Sequence, residues 1–491
     1  MPTARASRRS WRCALDARRC ALDARRRALG ARLHALGAGL AALLCGATLC
    51  GCGKKKPEPE TIAAPAPGGA SLEMVATGIG MGVALEASLA PTSTQWQRAF
   101  VLDENRAIIV GRSLDVAIAL RTEDGGRSWV SLKGEAAASI GWSVTAEGAL
   151  VLASGRRAKP SAKDKTGPID GVKMYFAGPQ ATDPTGPITL FPAEGLLKTA
   201  TVPPGPFGPI ALSGELGGML VTLGPRKLAM AYCAPAGKPA PEPGLWTIGE
   251  DAVAVPYGRP PSLLTVKGAS LFVRPWPKPG EPVPVATPIP GFIADRDSAR
   301  QLGEGPSCDA GEWSFQRVTQ APSASWLVGI SPTRSFAVKL PAGNSALLGC
   351  SADAVVLQSE EEKTGVPQLI RCGLDGKCVS PKSPPFRVWP EKSDRQIRAV
   401  PTAQGVVGVL SARAGARWGL YLAQSSDPGG LYELPRAIGE GSSERGVLES
   451  GVLVALPKRV LLLVTADVTG TTRRGWYVLA SGDGGTNWGP P

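Results

Sequence analysis

Residues 122–129 read Thr-Glu-Asp-Gly-Gly-Arg-Ser-Trp (TEDGGRSW), and two later stretches repeat the plan: Ser425 to Tyr432 (SSDPGGLY) and Ser481 to Trp488 (SGDGGTNW). Each copy opens on a hydroxyl residue, Thr122, Ser425 or Ser481. An aspartate stands third (Asp124, Asp427, Asp483), a glycine fifth (Gly126, Gly429, Gly485) and an aromatic eighth (Trp129, Tyr432, Trp488). The order makes physical sense as a hairpin turn: the aspartate caps backbone N–H groups, the glycine takes a dihedral denied to other residues, and the aromatic packs over the strands. A strand-like run precedes each copy, VAIALRT, WGLYLAQ and GWYVLAS in turn.

This pattern, Ser/Thr-x-Asp-x-Gly-x-Thr-Trp, resembles the Asp-box, or bacterial neuraminidase repeat, of sialidase-like β-propellers. The last copy departs from it at Asn487, and the middle one at Leu431 and Tyr432. The resemblance implies an all-β propeller of four-stranded blades, with each box between the third and fourth strands. It also implies that the boxes are structural, on the blade rim and away from the ligand face.

Working outward from the first copy, strands are expected near 96–101, 106–111, 116–122 and 128–132, which is the four-strand plan of a propeller blade. The rhythm continues through units at about 141–192, 209–248, 251–287, 291–341, 345–381, 397–436 and 446–488, giving eight, with seven as the fallback. Glycine and proline are frequent and apolar runs short, which suits many short strands and excludes long helices. Three residues follow Trp488, so the last unit needs a strand from elsewhere. Residues 71–90, containing MVATGIGMGVALEASL, are the expected donor, closing the ring and leaving no open sheet edge.

Upstream, residues 1–32 carry ten arginines against Asp16 and Asp23, and Leu33 to Cys50 is uncharged apart from His34. A basic region followed by an apolar one is the pattern of an export signal. Leu49, Cys50, Gly51 and Cys52 resemble a bacterial lipobox, which implies lipidation at Cys52 and a signal peptide over 1–51. An uncleaved signal anchor is the alternative, opposed by the glycines of the run and by Lys54 to Lys56 on the side that must cross. The leader also repeats RCALDAR at 12–18 and 19–25, too few heptads with too many arginines for a coiled coil. Residues 52–70 then form a Pro- and Ala-rich tether, and 71–491 the propeller domain. The expected location is the cell envelope, extracytoplasmic and lipid-anchored.

The chain carries a formal charge of +13, of which the leader's ten arginines and two aspartates supply +8, leaving the remainder near +5. With no dense basic block beyond Lys54 to Lys56, a nucleic-acid partner has no support. The lysine triplet instead suits anionic headgroups, making the membrane the one named partner. Five cysteines follow Cys52. Cys372 and Cys378 flank Gly-Leu-Asp-Gly-Lys and are expected to pair across a hairpin, stapling it where other units carry a box. The pairing of Cys233, Cys308 and Cys350 stays open, and no CxxC spacing suggests zinc or another metal.

The one histidine, His34, lies in the leader, which removes histidine-based catalysis and histidine metal sites from the rest. Sialidases work without histidine, since the family uses a tyrosine nucleophile with a glutamate, an aspartate acid/base and three arginines that clamp the substrate carboxylate. The Phe/Tyr-Arg-Ile-Pro motif that opens that catalytic domain is absent here, and Arg259 and Arg334 stand in turn-like contexts. The tyrosines Tyr175, Tyr232, Tyr257, Tyr421, Tyr432 and Tyr477 fall mostly in expected strands. The reading is therefore a lipid-anchored module that binds or scaffolds a protein, peptide or glycan, with no catalytic residue and no cofactor. A sialidase-type glycoside hydrolase is the alternative. Glu360, Glu361, Glu362 and Lys363 read as a solvated loop.

Overall fold

The computed structural model describes residues 83–491 apart from several loop segments, the longer being 158–168, 180–187, 196–209, 294–306, 380–393, 426–435 and 442–448. The leader, Cys52 and the tether lie outside the described residues. All regular structure among the described residues is β-strand, with no helix.

β1 (Val83–Leu85) is followed by β2 (Gln95–Val101), β3 (Ala107–Ser113), β4 (Val116–Thr122) and β5 (Val130–Ala136). Next come β6 (Ala138–Val144), β7 (Leu150–Arg157), β8 (Ile169–Ala177), β9 (Ile188–Thr189) and β10 (Phe191–Gly195). Then follow β11 (Ile210–Ala211), β12 (Gly217–Gly224), β13 (Lys227–Pro235) and β14 (Gly244–Thr247). β15 (Ala252–Tyr257), β16 (Ser262–Lys267), β17 (Ser270–Pro275) and β18 (Thr287–Ile293) make one four-stranded sheet. β19 (Ser307–Ala310), β20 (Trp313–Gln320), β21 (Ala324–Ile330) and β22 (Ser335–Lys339) follow. β23 (Ser345–Cys350), β24 (Ala354–Glu360), β25 (Pro367–Gly373) and β26 (Cys378–Val379) form a second four-stranded sheet. β27 (Asp394–Pro401), β28 (Val406–Ala414), β29 (Arg417–Ser425) and β30 (Arg436–Gly441) form a third. β31 (Glu449–Leu456), β32 (Arg459–Asp467) and β33 (Arg474–Ser481) complete the order.

In the sheets of β15–β18, β23–β26 and β27–β30, neighbouring strands run antiparallel in up-and-down order, the strand plan of a propeller blade. By contrast, β6–β8 and β10–β14 share one eight-stranded sheet joined through β10 and β13, and β9 pairs parallel with β5, so the two units expected over 141–192 and 209–248 are not separate sheets. The runs fold this way because short apolar stretches alternate with turn residues. β3 (AIIVGRS) and β4 (VAIALRT) are buried on both faces, so they read as continuous apolar runs rather than as alternation. Residues on one face of β3 and β4, such as Ile109 and Leu120, pack with Leu461 and Val478 of the last sheet. Those on the other face, such as Ile108 and Ala119, pack with Trp142 and Leu152.

The last sheet has the order β1-β33-β32-β31. β1 pairs antiparallel with β33 through Val83↔Val478, Ala84↔Tyr477 and Leu85↔Trp476. Further along the same strand, Ala480 and Gly489 exchange backbone hydrogen bonds of 2.8 and 3.0 Å. The place of a fourth strand is thus filled from both ends of the chain, and the upstream piece comes from within 71–90.

Two boundaries differ from the sequence reading. β18 runs through Ile293 and belongs to the preceding sheet, so the unit expected from 291 begins at Ser307. The first unit's fourth strand starts at Val130, not 128, because the turn extends through Ser128. A third feature lies beyond any unit plan. β19 pairs parallel with β2, Asp309 opposite Phe100 and Ala310 opposite Val101, joining β2–β5 and β19–β22 into one sheet that β9, parallel to β5, extends to nine strands. First strands also meet elsewhere: β19 packs against β23, β23 against β27, β27 against β31, and β31 against β2.

Candidate functional site

The first and last aspartate turns close with matching bonds. Thr122 Oγ1 donates to Asp124 Oδ1 at 3.0 Å and accepts from the Gly126 N–H at 2.8 Å. Ser481 Oγ does the same with Asp483 Oδ1 and the Gly485 N–H, both at 2.8 Å. Each aspartate then accepts from the backbone four residues on, Ser128 or Asn487, at 2.9 Å. Asn487 replaces the hydroxyl residue without loss, since its Nδ2 donates to Asp483 Oδ2 at 2.7 Å, as Ser128 Oγ donates to Asp124 Oδ2 at 2.6 Å. The indole N–H of Trp129 reaches the Gly126 carbonyl at 2.8 Å, and that of Trp488 reaches the Gly485 carbonyl at 3.0 Å.

Both turns need two glycines, not one: Gly125 and Gly126 have φ of 74° and 96°, Gly484 and Gly485 of 71° and 100°. The middle copy has Pro428 in the place of Gly125, and its Asp427, Gly429 and Tyr432 lie outside the described residues. Ser425 is the last residue of β29. Burial pushes the Asp124 carboxyl up, but hydrogen bonds from Ser128 and Thr122 outweigh it and hold it below the ordinary carboxylate value. With its oxygens taken up by the turn, this carboxylate is a staple rather than a reagent.

Cys372 and Cys378 are cross-strand partners on β25 and β26 and form a disulfide, with Cα atoms 4.0 Å apart. A second disulfide, Cys308–Cys350, was not readable from spacing. Its Cα atoms are 6.1 Å apart and it ties β19 to β23, the first strands of two consecutive sets. That shared position in the unit is the signal that would have found it. Cys233, buried in β13, stands outside both bridges.

The chemically richest cluster lies where β2 meets β19. Arg98 forms an ion pair with Asp309, which is 4% exposed, and Ser314 Oγ donates to the other carboxylate oxygen. The Arg98 guanidinium also lies 4.7 Å from the centre of the Phe100 ring. On the same strand as Ser314, Gln316 is fully buried, and neither its Oε1 nor its Nε2 has a hydrogen-bond partner. None of these residues was singled out by sequence. Another buried cation, Arg121, donates from Nη1 to the Gly178 carbonyl at 2.6 Å and lies 3.5 Å from Glu123 through Nε. Burial holds its guanidinium below the ordinary arginine value.

Three of the tyrosines are poorly placed to act as a nucleophile. Tyr175, Tyr232 and Tyr421 are buried among apolar side chains. Tyr232 donates its hydroxyl to the Pro277 carbonyl at 2.6 Å, and burial pushes it up to about 12, the wrong direction for activation. Arg334 lies in the turn after β21, 5.5 Å from the Trp313 ring centre. No group of three or more metal-ligating side chains occurs among the described residues. No helix among them is long and apolar enough to cross a membrane.

No protein-family model and no curated protein matches the chain. Among solved structures, it is similar to a polysaccharide lyase, an ulvan lyase, at 10% identity over 83% of this chain and 94% of that one, with a TM-score of 0.36. A prolyl endopeptidase is similar at 11% identity over 81% of this chain and 55% of that one, with a TM-score of 0.38. The β-propeller domain of the trilobed protease from Pyrococcus furiosus is similar at 9% identity over 71% and 97%, with a TM-score of 0.32. At such scores these likenesses say nothing about this chain's activity.

Proposed function

We propose that this chain is a lipid-anchored, extracytoplasmic β-propeller of eight blades that acts as a binding or scaffolding module for a protein, peptide or glycan. The observation that carries this reading is the last sheet, completed by β1 from the other end of the chain. A strand drawn from far upstream ties the last sheet to the segment leading into β2, a rigid support for surface loops. The two matched aspartate turns support Asp-boxes as hairpin staples. Two disulfides fit an oxidising compartment, in line with export. Fold alone does not name the ligand.

A sialidase-type glycosidase is the second reading, resting on the box pattern, and Tyr232 counts against it. The test is turnover of a fluorogenic sialoside by the purified intact chain. No release above buffer is expected. Release that disappears on tyrosine substitution would replace the binding module with a glycosidase.

A further inference from the structure

One face of the nine-stranded sheet is apolar at its flanks and polar in its middle. On one flank Phe100, Ile108 and Val110 pack with Trp142 and Leu150; on the other Val318, Val328 and Ile330 pack with Leu264 and Val266. Between them the register sets out a polar array. Asp309 is level with Phe100 on one side and Ser314 on the other, and one pleat away Ser307 is opposite Gln316, with Arg98 two residues before Phe100. Side chains two apart on a strand share a face, so these groups stand together.

Arg98 and Asp309 neutralise each other, and Ser314 occupies a second Asp309 oxygen. What remains unmet is specific: Gln316 Oε1, Gln316 Nε2 and Arg98 Nε are buried without partners. A leucine or methionine would fill the Gln316 position without that penalty.

We propose that this array is a binding subsite for an uncharged polyhydroxylated ligand, a neutral saccharide, whose hydroxyls complete the bonds of Gln316 and Arg98. The proposal rests on the binding-module reading and deepens it. A hydroxyl both donates and accepts, so one kind of group serves the free acceptor of Gln316 and the free donors of Gln316 and Arg98 alike. The charges within the array are already balanced, so an anion finds no excess cation. A peptide main chain is recognised along an open strand edge, and here β2 and β19 occupy each other's edges. Arg98, with its side chain 26% exposed, is the member that reaches solvent and marks the side from which a sugar enters.

The test is titration calorimetry of the intact chain and of Gln316→Leu, with neutral trisaccharides of glucose, galactose and N-acetylglucosamine. A sulfated trisaccharide and a mixed-sequence peptide pool serve as further probes. The expected result is binding of at least one neutral sugar, weakened ~10-fold or more in Gln316→Leu. The melting temperature should stay level or rise, because an unpartnered amide has been replaced by an apolar group of similar size. Equal affinity in the variant would overturn the proposal. So would a lowered melting temperature, which would show Gln316 bonded within the fold. If only the sulfated sugar or the peptides bind, the subsite fails and the binding module stands; if no probe binds, both lose their support.

Discussion

The indole N–H of Trp476 donates to the carbonyl of Pro91 at 3.0 Å, across 385 residues of chain. The same indole meets the ring of Trp96 edge-on, with centroids 5.6 Å apart. One residue of the last sheet therefore fastens both the approach to β2 and β2 itself. Around it, Ser131 Oγ donates to the Leu89 carbonyl at 2.8 Å, so the segment between β1 and β2 is held by the first set and the last together.

Asp124 should matter through its bonds to the turn. Asp124→Ala is expected to lower stability by about 1 kcal/mol, since it removes the acceptor of the Ser128 N–H, the Ser128 hydroxyl and the partly buried Thr122 hydroxyl. Its carboxyl is held below its unfolded value of about 3.9, so its contribution is present above that pH and is lost as pH falls through the folded value. Urea unfolding of wild type and Asp124→Asn across the acid range checks this: the variant should lose less stability on acidification, and parallel curves would contradict it.

Gly126 gives a sharper contrast. Its φ is 96°, and an added Cβ would come within 3.1 Å of the Leu461 side chain, while at Gly178 a Cβ would meet nothing within 4 Å. Gly126→Ala should cost about 1 kcal/mol or more, and Gly178→Ala well under that. Thermal melts of the two variants decide it, and equal losses would mean that the first turn is not tied to the last sheet.

The disulfides should differ in worth. Cys308–Cys350 closes a sequence separation of 42 and Cys372–Cys378 one of 6. On the loop-entropy model, removing the first should cost about 4 kcal/mol and the second about 2. Denaturant midpoints of the two double-alanine variants measure the difference, and a larger effect at 372 and 378 would refute the model.

The Arg98–Asp309 pair is expected to couple strongly. Arg98→Ala leaves Asp309 buried and unpaired and should destabilise by about 3 kcal/mol or more. A double-mutant cycle with Asp309→Ala should show a much smaller loss in the double variant than the sum of the singles. Simple additivity would show that β2 and β19 are not held by this pair.

Much of this fold was legible because its signals are local. A glycine-rich turn between two apolar runs fixes a hairpin wherever it occurs, and Cys372 and Cys378 flank such a turn. The donated strand was legible as an apolar run within 71–90, of which Val83–Leu85 pairs with β33. What was not legible is non-local. The parallel meeting of β2 and β19 leaves no period in the sequence, and with it went the Arg98–Asp309 pair and the orphaned Gln316. The second turn glycine was missed for another cause: Gly125 and Gly484 occupy a place that the repeat pattern leaves undefined, and the middle copy fills it with proline.

The interlocking of the chain's two ends is the claim on which the rest depends, and two truncated proteins test it. A chain beginning at Gly68 keeps β1, the Leu89 and Pro91 carbonyls and the buried Leu85 and Ala90; one beginning at Gln95 loses them all. Comparison of their thermal midpoints with that of the intact chain gives the answer. The longer protein should melt within about 1 °C of the intact chain, and the shorter one several degrees below it, a loss of about 3 kcal/mol or more. Equal midpoints for the two would contradict the account, for they would mean that β1 contributes nothing to the sheet of β31–β33.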